Sequence, residues 1–210
     1  MESAVQIPHL HLITDARGRR DPFPDIRAAL DAGLRCIQVR AKEHTDREQY
    51  ALARHVVDLA RPHDATVLVD DRPDIALAVG AHGVHLGDDD LPVEAVRRIL
   101  GPEACIGATA RDPAGAGAAE AAGADYVGVG PAFATRTKTG LPPMLGADGV
   151  GAVARAVGIP VVAIGGVTQD NTAELLAAGA HGVAVVSAIS EAVDPAQATA
   201  ALLKVTEQEA

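Results

Sequence analysis

The chain has 210 residues, of which 48% are hydrophobic and 22% are charged, and its formal net charge is −10 at pH 7. This composition excludes a disordered chain, a collagen-like repeat and a coiled coil, and the length predicts one domain over residues 1–210. The acidic balance argues against a nucleic-acid partner, which needs a basic face. The sequence has no apolar run of the roughly 20 residues that span a bilayer and no secretory signal pattern, so we expect a cytoplasmic protein without a membrane partner.

Short runs rich in Val and Ile alternate along the chain with segments of helical periodicity. The runs are nearly continuously apolar, which is typical of strands buried on both faces of a parallel sheet. They predict strands over residues 9–15, 36–40, 66–71, 83–87, 105–109, 126–131, 161–167 and 182–187. Apolar residues at three- and four-residue spacing predict helices around Leu30 and Val56 and over residues 74–79, 92–100, 113–122, 149–157, 169–178 and 195–205.

Eight alternating strand and helix units predict an α/β fold, a single-domain (β/α)₈ barrel. A doubly wound open sheet is the alternative, but the sequence lacks a G-x-G-x-x-G turn after its first strand. Cys36 and Cys105 lie in strand-like apolar runs, so we interpret both as core residues without a disulfide. The sequence leaves open whether the chain forms a homo-oligomer.

The second predicted strand ends in polar residues that share one side. Gln38, Arg40 and Lys42 are spaced by two, so their side chains point the same way. Two cations and an amide that converge suit an anionic group such as phosphate. The alternative is a set of solvated charges on the rim of the barrel.

Carboxylates follow the third and fourth predicted strands. Asp70 and Asp71 end one strand, and Asp88, Asp89 and Asp90 follow the next. Several carboxylates at one mouth repel one another unless a cation lies between them, and oxygen-only ligands favour Mg²⁺ over zinc. The alternative is a solvated acidic loop in which Asp90 caps the next helix.

A loop and two strand ends on the other side of the predicted barrel also suit phosphate. Residues 130–147 show no clear helix at the sequence level and contain Thr135, Thr137 and Lys138. Strand seven ends in a glycine pair at 165–166, and strand eight ends in Ser187, where barrels of this kind often bind phosphate. Two anion-binding regions with carboxylates between them predict an enzyme that joins or splits two phosphorylated small molecules with Mg²⁺.

Five segments, in order along the chain, resemble motifs of the thiamine phosphate synthase family. Residues 38–42 resemble its Q-x-R-x-K motif, residues 69–76 its V-N-D-R-x-D-I-A motif and residues 85–92 its H-L-G-Q-x-D-L-P motif. Residues 130–138 resemble its G-P-x-x-x-T-x-T-K motif, and residues 164–166 with 186–187 resemble its closing phosphate site. The resemblance extends from about Leu10 to Leu203, and five motifs in register are far more specific than one.

The resemblance implies a transferase that joins a hydroxymethylpyrimidine diphosphate to a thiazole phosphate and releases diphosphate. By position, Asp71 and Asp90 would hold Mg²⁺ as the cofactor. The residues that would bind the pyrimidine diphosphate are Gln38, Arg40, Lys42, Asp70, Thr109 and Lys138. Three of these would be catalytic by stabilising the departing diphosphate: Arg40, Lys42 and Lys138. The residues that would bind the thiazole phosphate are Thr135, Thr137, Gly166, Val186 and Ser187.

Four positions depart from the family's pattern, and one of them, Thr109 in place of serine, is a mild change. Asp70 stands where the family has an asparagine, Asp88 replaces a glutamine, and Arg111 stands where relatives often carry a histidine. A carboxylate at position 70 would repel a diphosphate unless it is protonated or recruits further metal. The alternatives to a synthase are therefore a family member recruited to another substrate and a non-catalytic descendant that binds phosphate ligands. Loss of the histidine argues against the tautomerase activity of related proteins.

Overall fold

The computed structural model describes residues 6–14, 21–135, 137, 140 and 142–208. The strands in these ranges are β1 (Leu10–Ile13), β2 (Cys36–Val39), β3 (Thr66–Asp70), β4 (Gly83–Leu86), β5 (Cys105–Ala110), β6 (Tyr126–Val129), β7 (Val161–Ile164) and β8 (Gly182–Val185). The α-helices in these ranges are α1 (Phe23–Asp31), α2 (Asp46–Ala60), α3 (Pro73–Val79), α4 (Val93–Leu100), α5 (Pro113–Ala121), α6 (Gly146–Ala154), α7 (Gln169–Ala177), α8 (Ser187–Ser190) and α9 (Pro195–Gln208), and a 3₁₀-helix (Arg61–His63) follows α2.

The strands form a closed parallel barrel in sequence order. Each strand pairs with the next, and β8 pairs with β1 through Leu10 and Val183. This arrangement confirms the (β/α)₈ prediction and excludes the open sheet. None of the helices within the described ranges is long and apolar enough to cross a membrane.

The predicted elements are present, with different ends. Most strands are shorter than predicted and end one to three residues before the predicted position. Helix α6 begins at Gly146, three residues before the predicted start, so the loop after β6 is shorter than expected. Helix α8 is a single turn that no sequence pattern predicted.

Local signals explain where the helices begin and end. Asp112 caps α5 as its side chain accepts a hydrogen bond from the Gly115 N–H at 2.8 Å, and Pro113 is the first helical residue. Gly80, Gly123 and Gly179 follow α3, α5 and α7 with positive φ angles of 70°, 90° and 110°. Glycine adopts this conformation without steric cost, which turns the chain sharply back into the next strand.

Alternation along each strand divides the buried side chains into two layers. One set packs between the strands and the surrounding helices, and it contains most of the aliphatic core. The other set fills the barrel interior: Ile7, Ile13, Cys36, Leu68, Cys105, Tyr126, Val162 and Ala184. Both cysteines are buried and free, as predicted. Residues two positions further along these interior rows lie at the carboxyl ends of the strands, which places Gln38 and Asp70 at the mouth.

Gly107→Ala is expected to destabilise the barrel. A Cβ atom at this interior position would lie 2.1 Å from Cζ of the buried Tyr126. Overpacking of this kind costs about 1–3 kcal/mol and would lower the thermal midpoint by roughly 2–12 °C in calorimetry.

Gly117→Ala is the matched control for this substitution. Gly117 lies in α5, and nothing lies within 4 Å of a Cβ built there. Helix propensity alone should then raise the midpoint slightly. Equal midpoints for wild type and Gly107→Ala would show that the interior has room at this position.

Candidate active site

A cavity of about 300 Å³ opens at the carboxyl ends of the strands. All but two of the residues that the sequence assigned to the site line this cavity: Gln38, Arg40, Lys42, Asp70, Asp71, Thr109, Thr135, Thr137, Gly166, Val186 and Ser187. Of the other two, Lys138 lies outside the described residues, and Asp90 is hydrogen-bonded to Asp71 but is not part of the lining. The residues predicted from both sides of the mouth thus surround one space.

The end of β2 contributes the cationic side of the cavity. The Thr14 hydroxyl accepts a hydrogen bond from the Arg40 N–H at 2.9 Å and donates to the Arg40 carbonyl oxygen at 3.2 Å. These two bonds tie Arg40 to the end of β1. Lys42 extends further out, and its Nζ lies 2.7 Å from Oδ2 of Asp71. Partial burial lowers the pKa of Lys42, but the Asp71 carboxylate outweighs this effect and the net shift is upward.

Asp70 is a buried acid rather than a solvated rim charge. Its side chain is 8% exposed, its Oδ2 lies 4.0 Å from Nε of Arg40, and its Oδ1 has no hydrogen-bond partner among the described residues. Burial, followed by the charge of Asp71, raises the pKa of Asp70 to about 8, against the opposing effects of Gln38 and Arg40. At neutral pH the group is therefore mostly protonated, which meets the condition under which position 70 does not repel a diphosphate.

Asp71 and Asp90 form a hydrogen-bonded carboxyl pair. Asp71 has a positive φ of 63° and lies directly after β3. Burial, followed by its hydrogen bond with Asp90, raises the pKa of Asp71 to about 6. Partial burial opposes a fall in the pKa of Asp90, but hydrogen bonds from Asp71 and from the Gly87 N–H at 2.7 Å lower it. The predicted alternative for Asp90 is wrong, because its side chain binds Gly87 and does not cap α4.

This pair fits a magnesium ion in its donor chemistry. Both groups offer carboxylate oxygens, which are the ligands that Mg²⁺ prefers. Mg²⁺ commonly takes only one or two protein carboxylates and completes its shell with water and substrate phosphate, so no third protein ligand is required. Within the described ranges no larger group of His, Cys, Asp or Glu side chains converges.

The loop after β6 packs against the glycine turn after β7 to form the opposite side of the cavity. Gly165 and Gly166 have positive φ angles of 93° and 65°, and a Cβ on Gly166 would lie 2.3 Å from the Ala134 carbonyl oxygen. Only glycine permits this approach, which brings Thr135 next to the turn. The Thr137 N–H donates to Oγ1 of Thr135 at 3.2 Å. The hydroxyls of Thr135 and Thr137, the backbone of the glycine turn and the start of α8 at Ser187 therefore line the same side of the cavity.

His85 lies in the wall between these two sides. Its Nε2 lies 3.1 Å from Oγ1 of Thr109, and its Nδ1 lies 3.0 Å from the Tyr126 hydroxyl. Burial lowers the pKa of His85 to about 4. The ring is thus neutral at physiological pH and is hydrogen-bonded at both nitrogens.

Thr14 and Arg111 are among the residues on the cavity wall that were missing from the predicted site. Thr14 lines the cavity beside Arg40, and no sequence signal singled it out. Arg111 also lines the cavity, and its Nη2 donates to the Pro143 carbonyl oxygen at 3.3 Å. Its position two residues after Thr109 could have placed it at the mouth, but in the sequence analysis it was considered only as a departure from the family's pattern. Asp88 lines the cavity, whereas Asp89 is exposed outside it.

The fold and the cavity together define a (β/α)₈-barrel enzyme whose site lies at the carboxyl ends of the strands. The family model described as thiamine monophosphate synthase matches residues 10–189. The chain therefore belongs to that family, and it is a transferase-type enzyme of thiamine biosynthesis.

Individual relatives are similar over nearly the whole chain. A thiamine-phosphate synthase from Salinispora tropica is 56% identical over 198 residues, which cover 93% of this chain and 95% of the relative. A thiamine-phosphate synthase from Haloquadratum walsbyi is 48% identical, with 90% and 86% covered. The solved structure of a thiamine phosphate pyrophosphorylase from Pyrococcus furiosus superposes with a TM-score of 0.86 at 40% identity, with 95% and 96% covered.

Asp70→Asn is expected to stabilise the protein increasingly as the pH rises from about 4 to about 8. The folded state keeps the Asp70 proton up to a pKa of about 8, whereas the unfolded chain loses it near the ordinary value of 3.8. Over that window the folded wild type binds more protons than the unfolded chain, so rising pH lowers its stability, and the amide removes this penalty. Thermal midpoints of both proteins across the window measure the effect.

Asp89→Asn is the control for this pH series. Asp89 is exposed on the same rim, so its substitution should change the midpoint little at any pH. A difference between Asp70→Asn and wild type that stays constant from pH 4 to pH 8 would contradict the buried-acid interpretation.

Proposed function

We propose that this chain joins a hydroxymethylpyrimidine diphosphate to a thiazole phosphate to give thiamine phosphate and diphosphate. The observation that carries the proposal is that Arg40 and Lys42 line the same cavity as the glycine turn at Gly166 and the start of α8 at Ser187. One side is suited to a leaving diphosphate and the other to a second phosphate. The names and the high identity of the relatives support the same reaction.

The reaction needs charge stabilisation rather than a protein nucleophile. The bond between the pyrimidine methylene carbon and the diphosphate oxygen breaks, and its electron pair leaves with the diphosphate. The thiazole nitrogen then donates its lone pair to the methylene carbon, which forms the new C–N bond. Arg40 and Lys42 would bind the oxygens on which negative charge develops, with Lys138 in the same role. Gln38 and Thr109 would hold the same substrate.

The carboxyl pair of Asp71 and Asp90, next to Lys42, completes the diphosphate site in this proposal. Asp71 and Asp90 would hold Mg²⁺, which would neutralise charge on the departing diphosphate. Lys42, now paired with Asp71 at 2.7 Å, would be available to the phosphate oxygens once a metal takes over that carboxylate. Asp70, neutral at physiological pH, adds no repulsion there.

The thiazole phosphate would bind on the opposite side. The groups available there are the hydroxyls of Thr135, Thr137 and Ser187 and the backbone at Gly166 and Val186. Glycine at position 166 lets the backbone approach the anion closely. With each phosphate on its own side, the reacting carbon and nitrogen would meet over the centre of the barrel mouth.

The alternatives are less well supported. A family member recruited to another substrate was suggested mainly by Asp70, Asp88 and Arg111. The raised pKa of Asp70 removes the main electrostatic objection, and Asp88 is exposed on the lining. Identity of 56% to a thiamine-phosphate synthase over almost the full length also disfavours a non-catalytic descendant.

A direct assay tests the proposed reaction. Purified protein is mixed with the pyrimidine diphosphate, the thiazole phosphate and Mg²⁺, and thiamine phosphate is detected by mass. We expect product that disappears on addition of a chelator and returns with excess Mg²⁺. Folded protein that gives no product under these conditions would overturn the proposal.

Lysine variants show whether turnover comes from this cavity. Lys42→Ala should lower kcat/KM, whereas Lys204→Ala, an exposed lysine of α9, should leave it unchanged. Equal activity of the two variants would place the reaction elsewhere.

Asp71→Ala and Asp90→Ala are expected to remove Mg²⁺-dependent turnover while the fold remains intact. Loss of a group that holds charge next to the leaving diphosphate should cost roughly 10²–10³-fold in kcat. Steady-state kinetics over a Mg²⁺ titration, with calorimetry of Mg²⁺ binding and circular dichroism, measures both effects. Asp89→Ala is the matched control on the same rim, and wild-type rates in both Asp71→Ala and Asp90→Ala would show that the metal assignment is wrong.

A further inference from the structure

A row of hydrogen bonds connects the buried floor of the barrel with the cavity. The Tyr126 hydroxyl lies 3.0 Å from Nδ1 of His85, and Nε2 of the same ring lies 3.1 Å from Oγ1 of Thr109. Tyr126 is 1% exposed, whereas His85 and Thr109 both line the cavity. No step of the proposed reaction uses Tyr126 or His85, so the row has no role assigned to it so far.

Two interior glycines make room for this row. A Cβ on Gly107 would lie 2.4 Å from the Tyr126 hydroxyl oxygen, and a Cβ on Gly128 would lie 2.7 Å from Cε1 of His85. The strand register aligns Gly107 with Tyr126 and Thr109 with Gly128. The absence of a side chain at these two glycines therefore leaves space for the phenol and for the imidazole. A chance contact between two polar groups would not require glycine at both positions.

The environment of Tyr126 determines the direction of the hydrogen bonds. Its ring is enclosed by the apolar interior cluster and by the edge of the His11 ring at a centroid distance of 5.5 Å. Among the residues that the structure describes, His85 is the hydrogen-bond partner of the Tyr126 hydroxyl, and no second one is present. If His85 donated from Nδ1, the buried phenol hydrogen would have no acceptor, which costs more than an unused lone pair on the phenol oxygen.

The same reasoning applies along the row. Tyr126 donates to Nδ1, so the ring carries its hydrogen on Nε2 and donates it to Oγ1 of Thr109. A doubly protonated ring is excluded for the same reason, since it would again leave the phenol hydrogen without an acceptor. The lone pair of Oγ1 that faces His85 is then occupied, and the Thr109 hydroxyl hydrogen is directed away from the ring.

We propose that Tyr126 and His85 are positioning residues that make the Thr109 hydroxyl a hydrogen-bond donor to the diphosphate group of the substrate. Oxygens of an ionised diphosphate accept hydrogen bonds and offer no hydrogen, so a hydroxyl locked in the opposite sense would present a lone pair to an anion. The row thus gives a hydroxyl, which rotates freely elsewhere, one orientation before the ligand binds. The identity of the ligand rests on the proposed function, but the direction of the row does not.

The tautomer of His85 provides a test that needs no substrate. Uniformly ¹⁵N-labelled protein is analysed by long-range ¹H–¹⁵N correlation, and the His85 signals are assigned by comparison with His85→Asn. We expect a protonated Nε2 and an unprotonated Nδ1 in wild type, and a loss of this preference in Tyr126→Phe. A ring protonated at Nδ1, alone or together with Nε2, in wild type would overturn the proposal.

A double-mutant cycle tests whether the row acts through Thr109. Binding of inorganic diphosphate with Mg²⁺ is measured by calorimetry for wild type, Tyr126→Phe, Thr109→Val and the double variant. We expect Tyr126→Phe to weaken binding about three- to tenfold, because the Thr109 hydroxyl keeps its place but loses its preferred orientation. In the Thr109→Val background the same change should have no further effect, since the hydroxyl it orients is absent. Equal losses in both backgrounds would show a merely structural role and overturn the proposal.

Tyr50→Phe is the matched control, because the chain has only 2 tyrosines and Tyr50 is 43% exposed on α2. It should bind diphosphate as wild type does, and weaker binding in this variant would remove the support that Tyr126→Phe gives.

Failure of the proposed function is separable from failure of this proposal. The expected tautomer and the expected mutant cycle, without production of thiamine phosphate, would support the hydrogen-bond row and overturn the proposed reaction. Production of thiamine phosphate together with the opposite tautomer would support the proposed reaction and overturn the hydrogen-bond row.

Discussion

Closure of short parallel strands into a barrel governs where the functional side chains of this protein lie. The strands have 4 to 6 residues each, so one interior row per strand passes within a few positions from the apolar floor to the polar mouth. Side chains alternate strictly between the interior and the helix layer. Cys36, Gln38 and Arg40 therefore follow one another along the same inner row, and the cavity is a continuation of the core.

The narrow interior also limits what the core can contain. Tyr126 is the single tyrosine in the interior cluster, and it fits because the neighbouring strand carries Gly107 at the facing position. The His85 ring likewise fits because its neighbour Gly128 has no side chain. Small residues on one strand and large ones on the next fill the space without voids, as close packing requires. Polar groups in such an interior must find partners within it, which is why the orientation of the phenol matters.

The charged side chains at the mouth of the barrel compensate one another. Lys42 pairs with Asp71, Asp71 is hydrogen-bonded to Asp90, and burial raises the pKa of Asp70 near Arg40. Each of these contacts joins groups that the proposed function assigns to the diphosphate or its metal. The binding of an anion and a cation together would exchange these internal partners for ligands without leaving a buried charge unpaired. This exchange agrees with a site built for a diphosphate bound with a divalent cation.

The order of residues along the chain is enough to predict the fold class, the cysteines as core residues and most of the polar residues that line the cavity. Strand periodicity and the polar residues at strand ends are local features, so they suffice to place Gln38, Arg40 and Asp71 at the mouth. Contacts between strands were needed to show that burial raises the pKa of Asp70, that Asp90 binds Gly87 and Asp71 instead of capping a helix, and that Thr14 and Arg111 lie on the cavity wall. The row from Tyr126 to Thr109 belongs to the same group of features. They could not be predicted because pKa values, hydrogen-bond direction and free space depend on residues brought together from several strands, and no local pattern contains those distances.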